Sequence, residues 1–415
     1  MGTISREFDI TILGATGWTA SMCAEHITKT FPTTLKWCIA GRSVPKLTTL
    51  QESLKALNLD RLPPSICSIA DLQSDHLSFL VQRSKVIING IGPYHRFSTP
   101  VVEACARHGT HYVDFSTETL WIADMIAAYD ATARASGAVI IPAISGASSP
   151  SDVVAWLLAT AIRRHYPRES RISEVVCSGK LTMLGMQGGS LETVLQVAEK
   201  YGISWFWRGD SWVLSDREEP RAPCQPVSWT NSLFGYRFDS VLGHLATSFI
   251  AKTNESVVHR SAGLDPDCYG PDFVYHEYTP ARGVLSSILI HLLTKLGILL
   301  LGLSWSRWFA RRLSYQPGDG PHRGKSRRVE RMDFNAVGYI GGLARPVAEA
   351  SFVYKGALVD VSAIFAVEAA ATLMEKTPLG SVRTGLQTPS TLGMEFVEKL
   401  RQAGVDVTVQ IEPVR

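Results

Sequence analysis

The chain has 415 residues, 45% of them hydrophobic and 19% charged. That length implies two domains, and that apolar fraction excludes a largely disordered chain. A net charge of only +3 gives no signal for nucleic acid, and seven singly spread cysteines with no Cys/His cluster at zinc spacing argue against a disulfide framework and against a metal site.

The opening stretch MGTISREFDITILGATG carries Glu7 and Asp9, and its apolar run has only strand length, so it does not read as a signal peptide. Gly2 raises N-myristoylation, but Arg6 stands where Ser or Thr is needed. With unpatterned cysteines this leads to a cytoplasmic expectation.

From residue 8 onward, strand and helix patterns alternate. FDITIL (8–13) reads as a strand, followed by a helix over 19–30, the strand LKWCIA (35–40) and a helix over 43–57 with Leu47, Leu50, Leu54 and Leu57 at helical spacing. SICSIA (65–70), a helix near 74–83, VIINGI (86–91), a helix over 99–108, THYVDF (110–115), a helix over 118–136 and AVIIPAI (138–144) continue the series. Such alternation implies βαβ units around a Rossmann-type, doubly wound parallel sheet, with strands apolar on both faces because helices cover both. Ser149-Pro150-Ser151-Asp152 opens a further helix, with Ser and Asp as caps and Pro in the first turn.

After residue 165 the pattern changes. ISEVVCSGKLTML (172–184), VSWTNSLFGYRF (227–238), FVYHEY (273–278), RVERMDFNAVGYI (328–340) and ARPVAEASFVYKG (344–356) are strand-like, with helices at 190–200 and 285–312. Residues 151–357 are therefore expected to form a mixed α+β domain for substrate binding or dimerisation, following a dinucleotide-binding domain over 1–150. The closing segment 358–415, helical and then ending in the strand VDVTVQI, is expected to return to the first domain.

The first strand runs into Gly14-Ala15-Thr16-Gly17-Trp18-Thr19-Ala20 and then a helix. A sharp strand-to-helix turn needs small residues, and bare amides at a helix start suit a pyrophosphate. Where a cofactor with a free 2′-hydroxyl meets an acid, the second strand ends in Arg42 and Ser43, with Lys46 one turn on. A guanidinium forks onto phosphate, so NADPH is expected rather than NADH. Asp71, after the third strand, reads equally as an acceptor for the adenine amino group and as a helix cap. Asn89 and Gly92, at the end of the fourth strand, would let ribose and nicotinamide lie close to backbone. Tyr94, Asp114 and Glu118 are the candidates for proton donation or substrate orientation, beside His95 and a more core-like Tyr112.

Together GATGWTA, AGRS, NGIGPY and PVVEACARHGTHYVDFSTE resemble the saccharopine dehydrogenase-like oxidoreductases. That group includes bacterial trans-acting enoyl reductases of lipid assembly and related fungal enzymes of secondary-metabolite clusters. IPAISGASSPSD, GMQGGSLETV, YQPGDGP and TPSTLG…LRQAG extend the resemblance over most of the chain. It departs at Ala20, where the family usually has Gly, at Ser116-Thr117-Glu118, where it has Thr-Gly-Glu, and near Ser148-Ser149, where it often has Asp-Ser. The resemblance implies an NADPH-dependent reductase. Its expected substrate is a hydrophobic small molecule or a carrier-bound acyl or polyketide intermediate, with a megasynthase as partner. A C=N or carbonyl reductase, and a non-catalytic NADPH sensor or scaffold, are the alternatives.

Residues 281–331 carry ten Lys or Arg against two Asp or Glu, beside the most apolar stretch of the chain, 284–303. A transmembrane span, a core or homodimer helix, and peripheral contact of 284–312 with a membrane or lipid droplet are all readings of that composition.

Overall fold

The computed structural model describes residues 6–167, 171–218, 229–376 and 382–412. Cys224 and the start of the 227–238 run lie outside these. Two seven-stranded sheets organise the chain.

The first sheet is parallel throughout. Strands β1 (Phe8–Leu13), β2 (Trp37–Gly41), β3 (Ser65–Ser68), β4 (Ser84–Asn89), β5 (His111–Asp114) and β6 (Val139–Ile141) lie in the order β6-β5-β4-β1-β2-β3. This is the doubly wound order with its switch point between β1 and β4, where ligand crevices form. The registers Leu13↔Ala40 and Leu13↔Asn89 bring the ends of β1, β2 and β4 level, so their following loops share one rim. Ile10, Ile12, Ile39, Ile88 and Val113 are fully buried because helices cover both faces.

The second sheet is mixed. Its strands β7 (Ile172–Thr182), β8 (Arg237–Asp239), β9 (Gly243–Thr247), β10 (Val274–Pro280), β11 (Arg331–Ile340) and β12 (Ala348–Lys355) are antiparallel except for the β7–β10 pair. The closing segment divides between the sheets. The helix Leu358–Lys376 packs on the helix Trp18–Thr30 and on β4 and β5, and the short β13 (Gly385–Leu386) extends the first sheet beside β6. The last strand, β14 (Asp406–Ile411), instead pairs with β12 and edges the second sheet, where strand pairing was open to it. The helix Ser149–His165 lies across β7, β11, β12 and β14. It and Leu358–Lys376 belong to one continuous apolar core reaching both sheets.

Three local expectations change. Within 227–238 the described residues form the helix Trp229–Phe234, and β8 begins only at Arg237, so most of the expected strand is helix. The single helix over 285–312 is two, Val284–Leu301 and Ser304–Leu313, broken at Gly302. Ser149–His165 carries Pro150 in its first turn, but its carboxylate caps nothing: Asp152 accepts from Ser261 Oγ and from the Ser390 amide at 2.8 Å.

Candidate active site

A cavity of about 880 Å³ lies between the two sheets, at the carboxyl ends of the parallel strands. One end is built by the glycine loop. Gly14 has a φ of +74°, a region L side chains rarely adopt, and a Cβ there would stand 2.7 Å from Ile91 Cγ1. The Gly14 and Ala15 amides donate to the Ala40 carbonyl at 2.9 and 3.1 Å, which folds the loop back over β2. No side chain caps the helix Trp18–Thr30, so its first-turn amides stay available to an anion. Ala20 fills the place of a third glycine: it is buried, and a Cβ on Gly90 would come within 2.7 Å of its own. Gly14, Thr16, Gly17, Trp18 and Thr19 line the cavity; Ala15 is wholly buried and does not.

Arg42, Ser43 and Lys46 line the same end, with both cations exposed to it. Ser43 also caps the helix Val44–Leu57, its Oγ accepting from the Lys46 amide at 3.5 Å. Asp71 lines the cavity too. Its carboxylate accepts from the Gln73 amide at 2.9 Å, and Ser74, not Asp71, occupies the cap position of the next helix.

The polar residues at the ends of β4 and β5 divide into those that face the cavity and those that hold its walls. Gly92 and Tyr94 line it; Asn89, Asp114 and Glu118 do not. Asn89 is buried, donating from Nδ2 to Ser98 Oγ (2.8 Å) and Tyr112 OH (2.9 Å) and accepting from the Ile91 amide (3.1 Å), so it shapes the turn. Glu118 accepts from the Tyr94 and His95 amides at 2.7 and 2.9 Å and meets His95 Nδ1 at 2.5 Å, which pins the short helix Tyr94–Phe97. Asp114 accepts from Tyr112 OH (2.7 Å), the Ser116 amide (2.9 Å) and the Ala143 amide (3.1 Å). Burial raises its pKa to about 7. Ala143 sits at a φ of +62°, a strained position for alanine, and the Asp114 bond holds that turn. Asp114 and Glu118 are thus positioning groups, whereas Tyr94 borders the cavity with a phenol that burial keeps protonated, its pKa raised well above the usual value.

Ser145 and Asn254, which the sequence did not single out, complete the site together with Ser148, where the sequence departs from the family it resembles. Ser145 and Ser148, on the turn after Ala143, and Asn254 line the cavity, and Ser145 Oγ, Ser148 Oγ and Asn254 Oδ1 are buried atoms without a partner. Asn254 is fixed there by its Nδ2, which donates to the Ala147 carbonyl at 3.0 Å and to Glu277 Oε1 at 2.8 Å. Two hydroxyl donors and one amide acceptor match the two ends of a primary carboxamide such as nicotinamide carries. The far wall is apolar, with Met183, Met186, Val197, Trp205, Phe206 and Phe249, the two phenylalanines stacked with ring centres 5.6 Å apart. Over the glycine loop lies the segment 315–323. Arg323 stacks 4.9 Å from the Trp18 ring centre and pairs with Glu25 at 2.6 Å, and the Gly188 amide donates to the Asp319 carbonyl. The runs GMQGGS and YQPGDGP stood out in the sequence only through the family resemblance, which gave no sign that they close over the glycine loop, and nothing in the local sequence marked Asn254.

A loop of small residues, uncapped amides, paired cations and an unpartnered carboxamide cradle together fit a pyridine dinucleotide. Residues 10–141 match the family described as the saccharopine dehydrogenase NADP binding domain. Two proteins named trans-acting enoyl reductase align end to end. That of Mycobacterium tuberculosis is 27% identical over 420 residues, covering 98% of each chain. That of Mycobacterium ulcerans is 26% identical over 428 residues, covering 98% of this chain and 99% of its own. The fold matches apo saccharopine dehydrogenase (L-Glu forming) from Saccharomyces cerevisiae with a TM-score of 0.55 at 12% identity, over 97% of this chain and 99% of that one. The chain is therefore an NAD(P)-dependent oxidoreductase whose residues 10–141 match the NADP binding domain of saccharopine dehydrogenase and whose full length is similar to proteins named trans-acting enoyl reductase.

Proposed function

We propose that the protein is an NADPH-dependent enoyl reductase acting on a hydrophobic acyl or polyketide intermediate presented as a thioester by a separate carrier. The observation that carries this reading is a cavity that is cationic at Arg42 and Lys46 and apolar at Phe206 and Phe249. The names of the full-length relatives support the same reaction class.

Each residue set then has a task. The Thr16 amide and the first-turn amides of Trp18 and Thr19 would hold the diphosphate, since those of Gly14, Ala15 and Gly17 are spent on the loop itself, and Arg42 would fork onto the 2′-phosphate, with Lys46 adding charge. Ser145 and Ser148 donate to the carboxamide oxygen and Asn254 Oδ1 accepts its N–H, which fixes the ring. When bound, the dihydronicotinamide supplies a hydride to the β-carbon of the double bond. The apolar wall excludes water and holds the acyl chain. Tyr94 OH gives its proton to the α-carbon as the enolate collapses, and the Phe115 amide, 3.3 Å away, donates to the phenolate left behind.

The test is NADPH consumption with long-chain α,β-unsaturated and saturated acyl thioesters, imines and ketones, with product identified by mass. Oxidation coupled to a saturated thioester product is expected. Turnover confined to imines or ketones, or tight NADPH binding without turnover of any, would overturn the reading. With the enoyl substrate, Tyr94→Phe is expected to lower kcat by about 10²–10⁴-fold, the usual contribution of a positioned acid, while NADPH affinity stays the same. An unchanged kcat removes Tyr94 as the donor.

A further inference from the structure

The helix Val284–Leu301 has a mean hydropathy of 2.1, yet it is turned inside out. Its polar side faces the fold. Ser287 is buried, His291 Nδ1 lies 2.7 Å from Thr247 Oγ1, and the Lys295 ammonium sits 4.5 Å from the Trp207 ring centre. Its leucines face outward. Leu285 is 84% exposed, Leu289, Leu292, Leu293, Leu296 and Leu299 are about half exposed, and only Ser287 and Ile298 are buried. A core helix does the reverse.

The next helix, Ser304–Leu313, repeats the inversion. Arg311 pairs inward with Glu192 at 3.0 Å and with Glu199 at 2.9 Å, and Arg307 reaches Glu199 at 3.2 Å. Trp305, Trp308, Phe309 and Leu313 point out, with the Arg312 guanidinium 4.4 Å from the Trp308 ring centre. Both ends of this hairpin return to the same sheet, since β10 and β11 each pair with β7. A span would put those two strands on opposite sides of a bilayer, so the hairpin does not cross one.

Charge selects among the surfaces that could cover it. Residues 281–318 contain no Asp or Glu, and Arg282 and Arg312 are exposed at the two ends of the patch. In a two-fold dimer the same patch meets itself, so these arginines would face an interface to which 281–318 brings no carboxylate. An anionic lipid surface offers headgroup phosphates to the arginines, an interfacial layer to the tryptophans and acyl chains to the leucines.

We propose that the 284–313 hairpin docks flat on an anionic phospholipid bilayer. Docking stands on exposure and charge alone and holds whether or not the reaction is enoyl reduction. It has one consequence for the site: Ser304–Leu313 packs on the helix Gly188–Tyr201, whose Thr193 and Val197 line the cavity, so the apolar end of the cavity lies one helix away from the lipid.

The experiment is flotation of the full chain with vesicles of phosphatidylcholine alone and of phosphatidylcholine with phosphatidylserine. Sedimentation velocity and NADPH calorimetry run in parallel. The expected result is flotation with the anionic vesicles, weakened by salt and by omission of phosphatidylserine. The exposed double variant Leu292→Glu, Leu296→Glu should lose at least about tenfold in vesicle affinity, with NADPH binding unchanged as the check on folding. Three outcomes would overturn it: protein left in the soluble fraction with both vesicles, equal flotation of the double variant, or a wild-type dimer that the double variant dissolves.

Discussion

Gly14 and Arg42 stand at the two places where one side chain decides what the cavity takes. Alanine at 14 meets two obstacles at once, the φ of +74° and Ile91 Cγ1 at 2.7 Å. A strained backbone position costs about 1–3 kcal/mol, so Gly14→Ala should weaken NADPH binding by roughly tenfold or more. Calorimetry beside a circular dichroism spectrum of unchanged shape checks it. Arg42→Ala removes a charge-assisted bond of about 1.5–3 kcal/mol, which is roughly a tenfold to hundredfold rise in the Kd for NADPH. The Kd for NADH should stay constant, because that cofactor has no 2′-phosphate for the guanidinium to meet. A parallel loss for both cofactors would place Arg42 outside the 2′-phosphate site. That the glycine loop and Arg42 would border one cavity was legible in the sequence, because a turn from strand to helix constrains residue type directly. Asp114 and Glu118 were not legible in the same way. A carboxylate after a strand reads as an acid for substrate or as a pin for the next turn, and only burial and partners separate the two. Asp114 with three donors and Glu118 with two amides and His95 are fully spent on the chain itself.

At the scale of elements, the βαβ series was readable in its order, since apolar runs bounded by Gly, Ser and Asp have few alternatives. Its strand ends are displaced by as much as three residues, at β6, and the short helix Tyr94–Phe97 was missed. The helix over 99–108 has the bounds its pattern implies, and β1 likewise. What periodicity cannot say is which face of an element meets the protein, and the inverted helix Val284–Leu301 is the clearest case. Nor can it pair segments distant in sequence, as the closure over the glycine loop requires. There the start of the helix Gly188–Tyr201 meets 315–319 so closely that a Cβ on Gly188 would stand 2.1 Å from the Gln316 carbonyl oxygen. Gly188→Ala must therefore push that segment away from the cofactor end. Overpacking of this kind costs about 1–3 kcal/mol. The variant is expected to melt a few degrees lower and to bind NADPH more weakly. Arg323→Ala, which loses the Trp18 stack and the Glu25 pair without adding bulk, should weaken NADPH binding while changing the melting midpoint less. Thermal scans with and without NADPH separate the two effects, and equal NADPH affinity in both variants and the wild type would show that the closure does not hold the cofactor.

The molecule as a whole places its buried carboxyls where the second sheet backs onto the cavity. Glu277, on β10, is fully buried and accepts from Asn254 Nδ2 at 2.8 Å, Tyr275 OH at 3.0 Å and Ser151 Oγ. It thereby anchors Asn254, which lines the cavity and whose buried Oδ1 has no partner. Burial raises its pKa to about 7 from an ordinary 4.5, against the lowering effect of those donors. The folded state then holds a proton that the unfolded chain has released, so protonation favours folding. Its contribution is fully present below about pH 4.5 and is lost as pH rises to about 7, above which it stays flat. Buried His259 and His111 act in the opposite sense, because burial lowers each to about 4 and their folded states gain as pH rises through that range. The net pH profile of the wild type therefore mixes signs, and a variant isolates one group. Glu277→Gln cannot titrate, while every other group is common to both proteins. The stability of the wild type relative to this variant should fall between about pH 4.5 and about pH 7 and then level off. Chemical denaturation of both proteins across that range measures the difference. A difference that is constant with pH, or that grows as pH rises, means that the carboxyl is ionised in the folded state throughout, and the anchor on Asn254 is then a charged one.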